Sequence, residues 1–220
     1  MLKHFTIILV LYTSISVTVA EASSFNRWNL DMLGFSSDSN TFVIVESITE
    51  TSDRARATIR VTDVATNQCV ERGCLFVSDS EDQFRTERQV LKEVYKQTWK
   101  LRNRLKLTPP RGGYRAKGPF FDEDDCQSAH YWYDNQKITV RMQQQNSWPQ
   151  QSAVQLKVTI GELQKNVDSL SNYRKGARKY QLGSLFISPN NRSLAILVYV
   201  IYNTVDGQEV RTLAQTATFF

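Results

Sequence analysis

Apolar positions along the chain change texture three times, and each texture predicts a different element. Thr41–Ile48 is a β-branched and aromatic run, the mark of a buried strand. Ala57–Val64 alternates, with Ile59 and Val61 on one side, before a turn at Asp63–Asn67 and an apolar Leu75-Phe76-Val77. The first third therefore reads as a meander of three or four strands, led in by an irregular segment over Phe25–Leu33. The period then changes. Phe84, Leu91, Val94, Tyr95, Thr98, Leu101 and Leu105 recur at helical intervals, with Val90 at the edge of their arc. Ser80 and Gln83 have the spacing of a capping box, and Thr108-Pro109-Pro110 is a stop signal. A long amphipathic helix is expected over about 81–107, roughly 39 Å in length. Residues 111–127 read as a surface loop, basic and then acidic. Strand signals return at His130–Tyr133, Lys137–Met142 and Val154–Ile160, around a polar loop at Gln143–Gln151 that holds Trp148-Pro149. Residues 161–180 are polar, with room for a short helix. An apolar run over Ser193–Tyr202, a turn at Asp206-Gly207 and a strand from Val210 to Phe220 close the chain. The expected class is α+β, mainly antiparallel β built as blade-like hairpins or a meander, with one long helix.

The amino terminus adds a destination. Lys3 and His4 precede the uncharged run Phe5–Ala20, and Ala20-Glu21-Ala22 places alanine at both positions a signal peptidase reads. That run falls short of the roughly 20 strongly apolar residues of a spanning helix. Residues 1–22 are expected to be a cleaved secretory signal and 23–220 a single domain, exported to the periplasm or beyond and not integral to a membrane. Apolar residues at 41% and aromatics at 11% exclude global disorder. Three cysteines in an oxidising compartment leave one over. Cys69 and Cys74, flanking a glycine turn, are the first choice for a bridge across a tight hairpin; pairing of either with Cys126 is the alternative. A metal centre is not expected.

Two ten-residue segments match in outline: Phe35-Ser-Ser-Asp-Ser-Asn-Thr-Phe-Val-Ile44 and Ile187-Ser-Pro-Asn-Asn-Arg-Ser-Leu-Ala-Ile196. Each has an apolar residue, a serine, a turn and a buried strand, with Asp or Asn placed to bond back to the backbone. With Ile59–Asn67 following the first copy, the pattern resembles the blade motif of Tol-system-like and WD-type β-propellers. The combination is similar to a family of predicted secreted bacterial proteins of unknown function, which has a signal peptide, an amino-terminal blade-like motif, a helix and a carboxy-terminal blade-like strand. That resemblance implies export and a β-rich fold and transfers no catalytic residue. Two copies 152 residues apart do not make a propeller, which repeats every 40–45 residues over at least four blades.

Charge supplies the candidate chemistry. Arg88, Lys92, Lys96, Lys100 and Arg104 stand four apart and form a ridge away from the apolar arc. Such a ridge is either a solvated face or a surface for an anionic lipid, a polyanionic glycan or an acidic protein; export disfavours nucleic acid. The acidic run Asp122–Asp125 lacks the alternating spacing of a calcium loop and reads as a counter-charge to the basic strip. His130, the one histidine after the signal, carries the rival reading of a hydrolase-like enzyme. No Gly-x-Ser-x-Gly, phosphate loop or paired metal-ligand motif accompanies it. The preferred expectation is an exported binding or envelope-associated protein, without cofactor or catalytic residue.

Overall fold

The computed structural model describes residues 25–49, 54–78, 85–122, 127–147, 150–204 and 207–219. The predicted signal, Ser80, Gln83, Phe84, residues 123–126 with Cys126, Trp148-Pro149, Asp206 and Phe220 lie outside them.

A short β1 (Phe25–Arg27) leads into four antiparallel strands, β2 (Asn29–Phe35), β3 (Thr41–Thr49), β4 (Ala55–Asp63) and β5 (Gln68–Ser78), which form a first sheet in chain order. Helix α1 (Glu87–Arg104) follows. A second group comprises β6 (Tyr114–Arg115), β7 (Lys117–Phe121), β8 (Ser128–Tyr133), β9 (Gln136–Ser147), β10 (Gln151–Ile160), β11 (Leu163–Val167) and β12 (Arg174–Lys175). The chain ends in β13 (Ala177–Ile187), β14 (Ser193–Thr204) and β15 (Gly207–Thr218). Strands β7–β11 make one sheet, with β12 on β10; the other sheet runs β1-β15-β14-β13-β6, and β1 joins it parallel to β15.

Side-chain alternation stacks these sheets into layers. On β3, Val43 and Val45 pack with Ala57, Ile59 and Val61 against Val90 and Val94 of the helix. Phe42 and Ile44, on the opposite face, pack against Ala195, Leu197 and Ala214 of the β13–β15 sheet. That sheet turns its other face, including Leu194, Ile196 and Val198, onto Tyr131, Ile138, Val140 and Leu156 of the β7–β11 sheet. The order is helix, first sheet, central sheet, third sheet. Strands β3 and β14 are buried along most of their length and largely apolar because both faces are covered. Small alanines on the central sheet leave room for the rings of Phe35 and Phe42, which meet edge to face at 4.7 Å.

The two matching segments are one device used twice. Ser36 Oγ donates to Asp38 (2.6 Å) and accepts from Thr41 N (3.0 Å); Ser188 Oγ donates to Asn190 (2.6 Å) and accepts from Ser193 N (3.0 Å). Ser39 and Asn191 occupy the same left-handed position, at φ 62° and 58°. Even the third strand matches: Val64 N donates to Asn40 O, and Phe219 N to Arg192 O, both at 2.9 Å. So β2–β4 and β13–β15 are equivalent three-stranded meanders. The segment between helix and third sheet links them, pairing Arg111 with Phe35 and Tyr114 with Ile187.

The helix is shorter than its periodicity predicts, 18 residues over Glu87–Arg104 rather than the full span 81–107. Thr86, not Ser80, is the N-cap, and Thr86 and Gln89 close the capping box. At the other end Lys106 adopts φ 54°, Leu107 N donates to Arg102 O (2.8 Å) and Lys106 N to Asn103 O (3.1 Å). This Schellman turn ends the helix before the prolines are reached and drops Leu107 into the core. Four polar stretches also depart from expectation. Phe25–Leu33 contributes β1 and most of β2, the 111–127 loop holds β6 and β7, and the 143–151 loop is largely the continuation of β9 into β10. Residues 161–180 form β11, β12 and the start of β13 rather than a helix. Several are edge or terminal strands whose side chains stay in water, so backbone pairing alone defines them. The cysteine pair is bonded as expected, but as a bulge within one strand: Thr62 pairs with Cys69 and Arg60 with Cys74, so residues 70–73 loop out and the disulfide spans their base, Cα to Cα 6.0 Å.

Candidate functional site

Two surfaces concentrate charge. The first is the outer face of α1. Val90, Val94, Thr98 and Arg102 face the first sheet, which places Arg88, Lys92, Lys96, Lys100 and Arg104 on the solvent side, and all five are exposed. Trp99 stands among them, 55% exposed. Glu87 is drawn off this face by Ser47, Asn29 and Thr49, which bond it to the first sheet. Glu93 is half-buried and accepts from Gln97. At its carboxy-terminal end the ridge borders an open hollow of about 450 Å³ with Lys100, Leu101 and Arg104 on one wall and Glu71 and Arg72 of the disulfide bulge on the other. Arg102, between Lys100 and Arg104 in the chain, points inward instead: it is 6% exposed, bonds Thr98 Oγ1 (3.2 Å) and Tyr95 O (3.1 Å), and lies over the Tyr95 ring.

The second surface is a groove between the first and central sheets, lined by Glu46, Thr58 and Arg60 from β3 and β4, Leu75 and Phe76 from β5, and Arg174, Val200, Tyr202, Arg211 and Leu213 from across the interface, with a volume of about 500 Å³. The even-numbered positions of β4 carry Arg56, Thr58 and Arg60 toward it, because Ala57, Ile59 and Val61 occupy the helix side. Glu209 takes Arg56 (2.7 Å), Arg211 and the indole N–H of Trp28 (2.8 Å). Burial pushes the Glu209 carboxyl up, but these cationic donors win and hold it below the usual carboxylate range. Asp168 pairs with Arg174 in the same manner. Glu46, 1% exposed, accepts from Thr212 N (2.8 Å); burial outweighs that bond and the nearby Arg60 and Arg211, and its pKa is pushed up to about 7.

The histidine stands apart from both surfaces. His130 Nδ1 lies 3.0 Å from Asp122 Oδ1 and its ring stacks on Phe120. Bonds from Ser128 and then His130 hold Asp122 below the usual carboxylate range, so this acid closes the β7–β8 hairpin. The rest of the acidic run lies outside the described residues, and among the described residues no group of three or more metal-ligating side chains comes together.

Stacked antiparallel sheets under a helix, with charge on the outer helix face and in an intersheet groove, define a β-rich protein; among its described residues no helix is long and apolar enough to cross a membrane. Residues 46–218 match the family described as "Predicted secreted protein (DUF2259)", and the chain belongs to that family. It is an exported protein. No curated protein matches the chain.

Proposed function

We propose that this protein is a non-enzymatic, envelope-associated binding protein that rests the outer face of α1 on an anionic lipid surface after its first 22 residues are removed on export. Trp99 carries the reading. An exposed indole among five cations has the pairing of an interfacial helix, in which the ring enters the headgroup layer while lysine and arginine meet phosphates. One side of the ring meets the Arg102 guanidinium at 5.9 Å, and the rest stays open to a partner. The hollow beside Lys100, Arg104 and Arg72 adds a recess of headgroup size. The blade-like resemblance of the two meanders fits a presenting scaffold and supplies no chemistry.

Co-sedimentation with phosphatidylglycerol vesicles tests the proposal. Binding is expected at low ionic strength, to fall as salt rises, and to be lost when Lys92, Lys96 and Lys100 are changed to Glu. Trp99→Ala should weaken it with the charge intact. Equal sedimentation of the triple variant and wild type would refute the assignment; salt-sensitive retention on a sulfated glycan without vesicle binding would move it to a glycan partner. The rival hydrolase would gain ground only from an activity that His130→Ala abolishes.

A further inference from the structure

The groove between the first and central sheets has a charge ledger that does not balance. Arg60, Arg174 and Arg211 line it with Glu46, and Arg56, Asp168 and Glu209 stand beside it as ion-pair partners, so that four guanidiniums face three carboxylates in and around the groove. Glu209 is shared by Arg56 and Arg211, and Asp168 belongs to Arg174. Glu46 stays with the Thr212 backbone, and no ion pair joins it to Arg60. Arg60 is left over: no hydrogen bond or ion pair ties its guanidinium to any described residue. Its neighbours make this worse, since Arg174 and Arg211 are like charges. Half-buried beside two like charges, Arg60 presents a guanidinium whose donors are not taken up by a described side chain to the open groove.

The space beside that guanidinium is of ligand size. Arg60 lines the 500 Å³ groove and also an adjoining polar hollow of about 270 Å³, with Arg174 and Leu213 forming the shared wall. A groove of several hundred Å³ with one apolar wall and a few convergent polar groups is the usual build of a small-molecule site. Leu75, Val200 and Leu213 offer an apolar surface to a carbon body, while Tyr202, its ring 5.2 Å from the Arg211 guanidinium carbon, closes the cationic end. Guanidinium donors in a planar fork match a carboxylate or a phosphate ester, which accept two parallel N–H bonds.

We infer that this groove is a binding site for a small organic oxyanion, a carboxylate or phosphate ester, with Arg60 as its principal ligand and Arg174 and Arg211 as the flanking cationic wall. The site is separate from the helix face, at the opposite side of the first sheet, and does not depend on membrane docking.

Calorimetric titration of the whole protein, in buffer free of polyvalent anions, with citrate, inorganic phosphate and glucose 6-phosphate tests the assignment. Saturable binding of at least one probe is expected, and the pattern across the three separates a carboxylate ligand from a phosphate. Arg60→Met should weaken that binding by about tenfold or more, the worth of a charge-assisted pair, and abolish the rise in Tm the probe causes. Without ligand Arg60→Met should melt at or above the wild-type temperature, because an unpartnered charge has been replaced by an apolar chain of similar reach. Lys157→Gln, at an exposed cation of β10, and the triple helix reversal should leave the titration unchanged. Failure of all three probes to bind at millimolar concentration, equal affinity in Arg60→Met, or a lowered ligand-free Tm in that variant would each overturn it, the last by making Arg60 a structural cation.

Discussion

Ser36 and Ser188 show how little chemistry a tight turn needs when the side chain is placed well. Each is fully buried and its hydroxyl serves as donor and acceptor at once. Alanine at either position leaves a backbone N–H without its acceptor, and we expect a loss of roughly 1–3 kcal/mol in urea unfolding, similar for the two because the geometry is the same. These turns were legible in advance, since Ser, Asp and Asn bond locally and need no tertiary context. The groove was not. Thr58 and Arg60 alternate with Ile59 and Val61, which reads as a strand with one wet face, and nothing local announces that a second sheet covers that face. Arg174 and Arg211 then arrive from strands far along the chain at no fixed spacing. Glu46 offers a separate check. Its pKa rises from 4.5 in the free side chain to about 7 in the fold, so the folded protein holds this proton more tightly than the unfolded chain. Its favourable contribution is complete below about pH 4.5 and is lost as pH climbs to about 7. Above that, burying the ionised carboxylate costs on the order of 3 kcal/mol. Glu46→Gln should therefore match wild type in urea unfolding at pH 4 and exceed it at pH 8.

At the scale of elements, the helix and the cysteine bulge share the same sheet. Periodicity located α1 and the orientation of its cationic ridge correctly, but not its ends, because Thr86 and Lys106 set those by capping geometry that competes with stronger-looking signals at Ser80 and Pro109. It also placed Val90 at the edge of the apolar arc; in the fold Val90 is fully buried, and Arg102 shares the inner face with it. The disulfide closes a separation of only five residues. A loop that short restrains the unfolded chain weakly, so reduction is expected to cost about 2 kcal/mol. Far-ultraviolet circular dichroism under reducing conditions should retain the β signal, with the midpoint of chemical unfolding moved down.

Across the whole molecule, covering decides stability. Helix α1 packs on the first sheet and turns its other face to water, whereas β14 pairs with a strand on each side and packs against a layer on each face. Native-state hydrogen exchange should find the amides of β14 the slowest and those of α1 among the first to open. The apolar strands β3 and β14 are also what sequence revealed most plainly, while β7, β11 and β12 escaped notice because their exposed side chains follow no hydrophobic period.

The strand that anchors the stack is, out of it, a hazard. Leu194–Tyr202 runs nine residues without a charge, a proline or a glycine, rich in branched and aromatic side chains, which is the composition of a steric zipper. Until its neighbours close over it, the chain carries the seed of an amyloid fibril through its own synthesis and export, and the two sheets that sandwich β14 act as a permanent, built-in chaperone.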